Sequence, residues 1–326
     1  MVKLINAILT VVAGIGVALV LYWVLNKLAE LLPGKWEDRL KPYLYILPAV
    51  AMIALYVVYP GIQTIVYSFA NAQSTKFVGT QNYTKLLSSS GFRDTVLTTL
   101  VWVIVAPLAA VLLGLLVATL VDRLRPRGEK TAKTIVFFPM AISAVGAATV
   151  WRFVYAYAPA GQPQVGIQNA IITALGFDPV AWLEQRQYYL NTMFLIIMFL
   201  WAQVGFSMVL LSAAIKGVPT DTVEAARVDG ANERQVFRRV IFPQIMPTVV
   251  TVYVTVIIGV MKLFDIVYVM TNGSFNTNVL ATSFFNELFT NFNNGAAAAI
   301  VVILMMFVIP VMIFQVRQFR LQEANR

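Results

Sequence analysis

Apolar positions along the chain run in seven blocks, each close to or above the roughly 20 residues an α-helix needs to cross a bilayer core and nearly free of charge. They cover residues 4–25, 44–69, 96–121, 135–155, 189–215, 248–271 and 296–316. The pattern predicts an all-α, polytopic membrane protein with about seven transmembrane helices. Pro48 and Pro60 fall in the second block, and Pro107, Pro139 and Pro310 in the third, fourth and seventh. Each removes a backbone donor and can kink or open its helix, which neighbouring segments must then compensate. An odd number of crossings puts the chain ends on opposite sides of the membrane.

Composition agrees with that solvent. Hydrophobic residues make up 59% and charged residues 12% of the 326 positions, against about 25% charged in an ordinary soluble domain. The chain holds neither cysteine nor histidine, which excludes a disulfide framework and removes the commonest general base and metal ligand. The net charge of +9 is resolved by position. Seventeen Lys and Arg lie in the odd-numbered gaps and the C-terminal tail, five in the even-numbered gaps and the N-terminal stub, and Arg152 and Lys262 inside blocks. By the positive-inside rule the odd gaps and the C-terminus are cytoplasmic and the N-terminus is outside. No basic cluster is left for a nucleic acid.

The first block has one lysine ahead of it, is overlong for a signal peptide and lacks a small-x-small cleavage site, so it reads as a retained helix; an interfacial helix is the alternative. The longest extracytoplasmic gap, 156–188, is sized for a surface platform and too small for a domain.

The cytoplasmic gap over 217–243 carries the most information. Asp221 and Glu224 can form a capping box at the start of a short helix, with Ala225 and Ala226 on a thin face. Gly230 suits a left-handed stop, and Asn232 can cap a second helix running to Pro243 at the membrane surface. Small residues permit close approach, while Glu224, Asp229 and Arg234 can orient a partner by charge. The element is thus either a docking foot or an amphipathic helix lying on the bilayer.

Glu224-Ala225-Ala226, then Gly230 after three intervening residues, and Val240-Ile241-Phe242-Pro243 after nine more resemble the EAA motif of membrane subunits of binding-protein-dependent ABC importers. Val240 and Phe242 depart conservatively from the family's Ile and Leu. Phe138 to Ser143, Trp151 to Phe153, Gly166 to Asn169 and Phe264 to Gly273 are similar to the maltose-type sugar permeases, in particular the MalF-like half. Where that family continues Gly-Gly-Pro, this chain has Gly273-Ser274-Phe275, which implies a different turn. The resemblance makes residues 43–320 a type I ABC importer permease core. Residues 1–42 become an extra N-terminal transmembrane helix with a cytoplasmic linker, as in alpha-glucoside permeases, and residues 321–326 a cytoplasmic tail.

It further implies that Glu224, Ala225, Ala226, Asp229, Gly230 and Pro243 couple to an ATP-binding subunit. The substrate path it implies runs along Met140, Ser143, Ala144, Gln203, Phe206, Gly259, Val260 and Leu263. Other polar groups read at mid-membrane depth are Asn191, Ser207, and Lys262 with Asp265, a pair three apart on one helix face that can neutralise each other. Trp201, Phe264 and Tyr268 offer further aromatic surface to a sugar.

The chain has no phosphate-loop motif, so it binds no cofactor itself, and ATP and Mg belong to the partners. Those partners are two ATP-binding subunits, a second, MalG-like permease subunit and an extracytoplasmic sugar-binding protein. A self-sufficient ion-coupled carrier, with Lys262 and Asp265 as relay, and an intramembrane lipid enzyme are the competing classes.

Overall fold

The computed structural model describes residues 2–31 and 34–324. Two positions of the expected linker and the last two of the expected tail lie outside the described residues. The chain divides into two compact units, Met1–Val66 and Tyr67–Arg326.

In the first unit, α1 (Val2–Glu30) and α2 (Lys35–Ile53) meet through stacked Tyr22 and Tyr45 rings, with centroids 5.8 Å apart. Tyr45 also donates to Asn26 at 2.9 Å. A π-helical turn, Ala54–Val58, leads from α2 into α3 (Tyr59–Tyr67). The ring of Pro60 would strike the carbonyl four residues back in an α-helix, and that carbonyl, on Tyr56, lies inside the widened turn.

The second unit opens with α4 (Gln81–Ser88) and the long α5 (Ser90–Val121). Ala106, Ala110, Gly114 and Ala118 recur every fourth residue of α5 and are all buried. Small residues at that spacing let two backbones approach closely. The surface they meet is α9 (Leu190–Lys216), where a Cβ added to Gly114 would stand 2.5 Å from the Cβ of Ser207. Leu195, Met198, Met208 and Leu211 of α9 share one buried core with Trp102 of α5 and Val252, Val256 and Val260 of the later α12 (Phe242–Met261).

Between α5 and α9 the fourth apolar block departs from expectation. It is not one straight span: α6 (Pro126–Phe137) passes through a 3-10 turn, Phe138–Ala141, into α7 (Ala144–Val154), with a 99° bend between the two arms. Pro139 and the extended backbone of Ile142 and Ser143 make the break, and Ser143 restarts the helix by accepting from Gly146 N–H at 3.1 Å. Gly205 of α9 packs directly against the backbone at the end of α6.

The gap expected outside the cytoplasm folds as a small platform around α8 (Ile167–Ala174). Asn169, fully buried, donates to the carbonyls of Ala156 and Val180 and accepts from Val180 N–H and Trp182 Nε1. One side chain thereby makes four hydrogen bonds that hold the loop together.

After α10 (Thr220–Val228) and α11 (Glu233–Val236), a π-helical turn, Phe237–Ile241, joins α12 (Phe242–Met261). Pro243 therefore does not end the second helix at the membrane surface as expected. The turn again carries the carbonyl that the proline ring would strike, and the helix continues into the span. The sixth block breaks instead after Met261, and α13 (Asp265–Met270) is a separate helix packed against α7. The chain closes with α14 (Leu280–Phe285), a third π-helical turn, Asn286–Thr290, and α15 (Asn294–Ala324), whose helix includes the described part of the expected tail. Among the described residues, six helices are long and apolar enough to cross a membrane, or seven with the bent pair counted as one span.

Candidate functional site: a coupling foot and a broken-helix path

The foot is built from local backbone chemistry. Helix α10 starts at Thr220 with Pro219 before it, and Thr222 donates to the Pro219 carbonyl at 2.6 Å. Asp221 is therefore not the cap, and no capping box with Glu224 forms; Asp221 sits in the first turn, where its charge still favours the helix dipole. The stop is as expected. Gly230 takes φ +83°, Gly230 N–H bonds the Arg227 carbonyl at 3.0 Å and Ala231 N–H bonds that of Ala226 at 3.0 Å. This paired closure is a Schellman turn. Asn232 and Gln235 then form a reciprocal capping box at 3.0 and 2.8 Å.

Arg227 reaches across the turn to Glu233 at 2.9 Å. That carboxylate, first by its hydrogen bond and then by its charge, raises the guanidinium above its ordinary high value, so it stays a cation. Glu224, Ala225, Asp229 and Gly230 are exposed on the foot, Ala226 is half-buried, and Val228 at its tip is 87% exposed. Pro243 is exposed as well, one helical stretch away.

Behind the foot lies a cleft of about 610 Å³ lined by Glu224, Arg227, Val223, Asp122 and Lys216. Asp122 and Lys216 belong to an ion-pair cluster that sequence reading missed. Lys133 contacts Asp122 at 3.0 Å and Glu129 at 2.7 Å, and Ser212 donates to Asp122 at 2.7 Å. Lys133 also donates to Ser212, and Lys216 to Glu129. Two acids and two bases thus tie the C-terminal end of α5 to α6 and the last turn of α9. The only signal was the presence of acids in basic gaps; the partners lie up to 94 residues apart, from Asp122 to Lys216, beyond any local pattern.

The expected path residues gather around the two helix breaks without forming one uniform surface. Met140 is 43% exposed in the bend, Ser143 caps α7, and Ala144 opens it. Gln203 and Phe206 are half-buried on α9. Gly259 is exposed near the end of α12, Val260 is buried in the core, and Leu263 packs against that core. Lys262 and Asp265 do not share a helix face, because α12 ends at Met261, just before Lys262, and α13 starts at Asp265. Both are exposed, and no ion pair joins them among the described residues.

Phe264, Tyr268 and Phe285 form an aromatic cluster beside this second break, with centroids 4.7 to 5.2 Å apart. Asn191 sits in the first turn of α9, not mid-membrane, and holds the Phe275 carbonyl at 2.6 Å. Ser207 is fully buried under Gly114. These last two serve packing.

Residues 89–321 match the family described as binding-protein-dependent transport system inner membrane component. The chain is 44% identical over 283 residues to an osmoprotective compounds uptake permease protein, GgtC, of Synechocystis, covering 87% of this chain and all of that one. It is 39% identical to the alpha-glucoside transport system permease protein AglF of Rhizobium meliloti, with 97% of each covered. A crystal structure of a bacterial ABC transporter that imports the acidic polysaccharide alginate superposes with a TM-score of 0.75 at 21% identity, over 88% of this chain and 99% of that one. At that identity the likeness is one of fold.

Proposed function

The chain belongs to the family of binding-protein-dependent transport system inner membrane components, and from that premise we propose that it carries a neutral sugar, of the alpha-glucoside class, across the cytoplasmic membrane. The chain is a non-catalytic permease subunit of an ABC importer. In this reading a MalG-like second permease completes the path, an extracytoplasmic sugar-binding protein delivers the solute, and two ATP-binding subunits hold ATP and Mg.

The observation that carries the coupling assignment is the foot itself. A nine-residue helix, stopped by a Schellman turn and braced by Arg227 and Glu233, presents Glu224, Ala225 and Val228 outward. A groove on an ATP-binding subunit can grip such a knob. Displacing it moves α12 through a continuous helix, and moves α9 through the short link 217–219. Both helices flank the breaks, so rigid-body motion at the foot opens one side of the path and seals the other. Discontinuous helices at mid-depth are where membrane carriers place substrate. The aromatic cluster of Phe264, Tyr268 and Phe285 supplies a stacking face for a sugar ring.

Glu224→Lys reverses the charge of the foot, and Gly230→Pro cannot take the positive φ. Each is expected to abolish ATP-driven uptake in proteoliposomes or co-purification of the ATPase while leaving membrane insertion intact. Normal uptake and normal ATPase association in both variants would sink the coupling assignment. The 44% identity to the osmoprotectant permease favours a second reading, uptake of osmoprotective compounds. Radiolabelled maltose and radiolabelled glycine betaine, each with the cognate binding protein, separate the two.

A further inference from the structure

At the end of α5 opposite the foot, about 48 Å away by helical rise over its 32 residues, lies a cavity of about 730 Å³. Ligand sites span roughly 300–1,000 Å³ and are mostly apolar; this one sets amides and short polar groups beside an apolar wall of Val78, Leu86, Phe92 and Ile300. Gln81, Asp94, Asn278, Asn286 and Glu287 line it, with Lys85 at its side. Among the described residues, the side chains of Gln81, Lys85, Asp94 and Asn286 make no hydrogen bond or ion pair to the rest of the chain. Asn278 donates to Ser283 at 2.8 Å, yet its Oδ1 is buried with no partner. A buried acceptor without a donor is costly; packed against Gly273, this oxygen is shielded from the cavity and belongs to the packing of its rim.

The walls are also held in uncommon backbone. Asn286 opens the π-helical turn Asn286–Thr290, a feature frequent at functional sites. Asn272, Phe275, Asn276 and Phe292, four non-glycine residues around the cavity, all have φ between 49° and 61°. Such strain persists only where surrounding contacts fix it. Here Thr98 donates to the Asn276 carbonyl at 3.1 Å and Asn191 to that of Phe275 at 2.6 Å. The unusual Gly273-Ser274-Phe275 turn thus forms part of a braced rim.

We propose that this cavity is a second binding site, a receiving site for a neutral, polyhydroxylated solute before it enters the path between the broken helices. Each primary amide offers donors and an acceptor side by side, which suits the adjacent hydroxyls of a sugar ring. Two carboxylates against one ammonium disfavour an anion. The proposal rests on the sugar-import reading for the identity of the solute, and the cavity chemistry supplies the preference for a neutral one.

The test uses the full permease and ATPase complex in lipid nanodiscs, without the binding protein, titrated calorimetrically with maltose and separately with glucuronate. Saturable maltose binding, at least fivefold tighter than glucuronate, is expected. It should weaken at least fivefold in Gln81→Leu and in Asn286→Leu, two variants on different elements whose complex assembly and thermal unfolding serve as controls.

Absence of maltose binding, binding unchanged in both variants, or equal glucuronate affinity overturns the proposal. So does loss of binding-protein docking in the variants with maltose affinity intact, which marks a protein contact surface. Uptake is followed in parallel in proteoliposomes of the same complex supplied with the binding protein. A complex that imports maltose but does not bind it here overturns the cavity site alone, whereas one that binds maltose and imports no sugar supports the cavity site and overturns the import reading.

Discussion

Gly205 has no room for a methyl group. A Cβ there would stand 2.6 Å from the Val136 carbonyl oxygen and 2.7 Å from the Phe137 α-carbon, both backbone atoms at the bend. Gly205→Ala must therefore push the bend away from α9, at about 1–3 kcal/mol, and we expect a lower thermal midpoint and loss of uptake together. Gly259 is the contrast, with open space around its Cβ position. Gly259→Ala is expected to leave stability unchanged or raise it by up to about 1 kcal/mol, the difference in helix propensity. A several-fold rise in the KM for sugar with stability preserved would place Gly259 on the path, and an unchanged KM would remove it. Gly230 was readable from sequence because a stop signal is local. Gly205 was not, because its need for a bare α-carbon comes from the backbone of Val136 and Phe137, on a different helix.

Among the elements, long apolar runs were legible from hydropathy alone, and α1, α5, α9 and α15 fall where expected. Direction was not. Hydropathy averages over a window and carries no information on whether a run turns, so the 99° bend at Pro139 and the break at Lys262 left only faint traces. Those traces were a proline and a pair of charges inside apolar blocks. The small-residue stripe of α5 was equally present in the letters, at four-residue spacing, and acquires meaning only with α9 beside it. The ion-pair cluster behind the foot belongs to this scale because it fastens three helices. Asp122 is 12% exposed and meets both Lys133 and Ser212. Asp122→Ala leaves Lys133 short of a partner and is expected to lower stability by about 2 kcal/mol, below the cost for a fully buried pair because water reaches the lysine. Thermal unfolding in detergent measures it, and an unchanged midpoint would show that the cluster adds nothing to the fold.

For the whole molecule, the distribution of Lys and Arg sets orientation, and a chain without native cysteine is ready for labelling. Gln73→Cys and Gln162→Cys, both exposed, are expected to react with a membrane-impermeant maleimide in intact cells. Arg127→Cys, also exposed, should react only after permeabilisation. The opposite pattern would invert the topology and put the foot out of reach of any ATPase. The foot and α12 are joined by the π-helical turn Phe237–Ile241, which has a consequence for how chain length can vary. An α-helix advances about 100° per residue, and a π-helical turn takes up one extra residue within a single widened turn, so deleting one residue at this turn would restore ordinary winding with α12 nearly in phase, whereas deleting one in the regular helix beyond it would swing the α12 face by roughly that angle relative to the foot. Hydropathy, charge and helix length would scarcely change. On the proposed coupling, the turn is a place where the helix between foot and membrane face can lose a residue and keep the two in register.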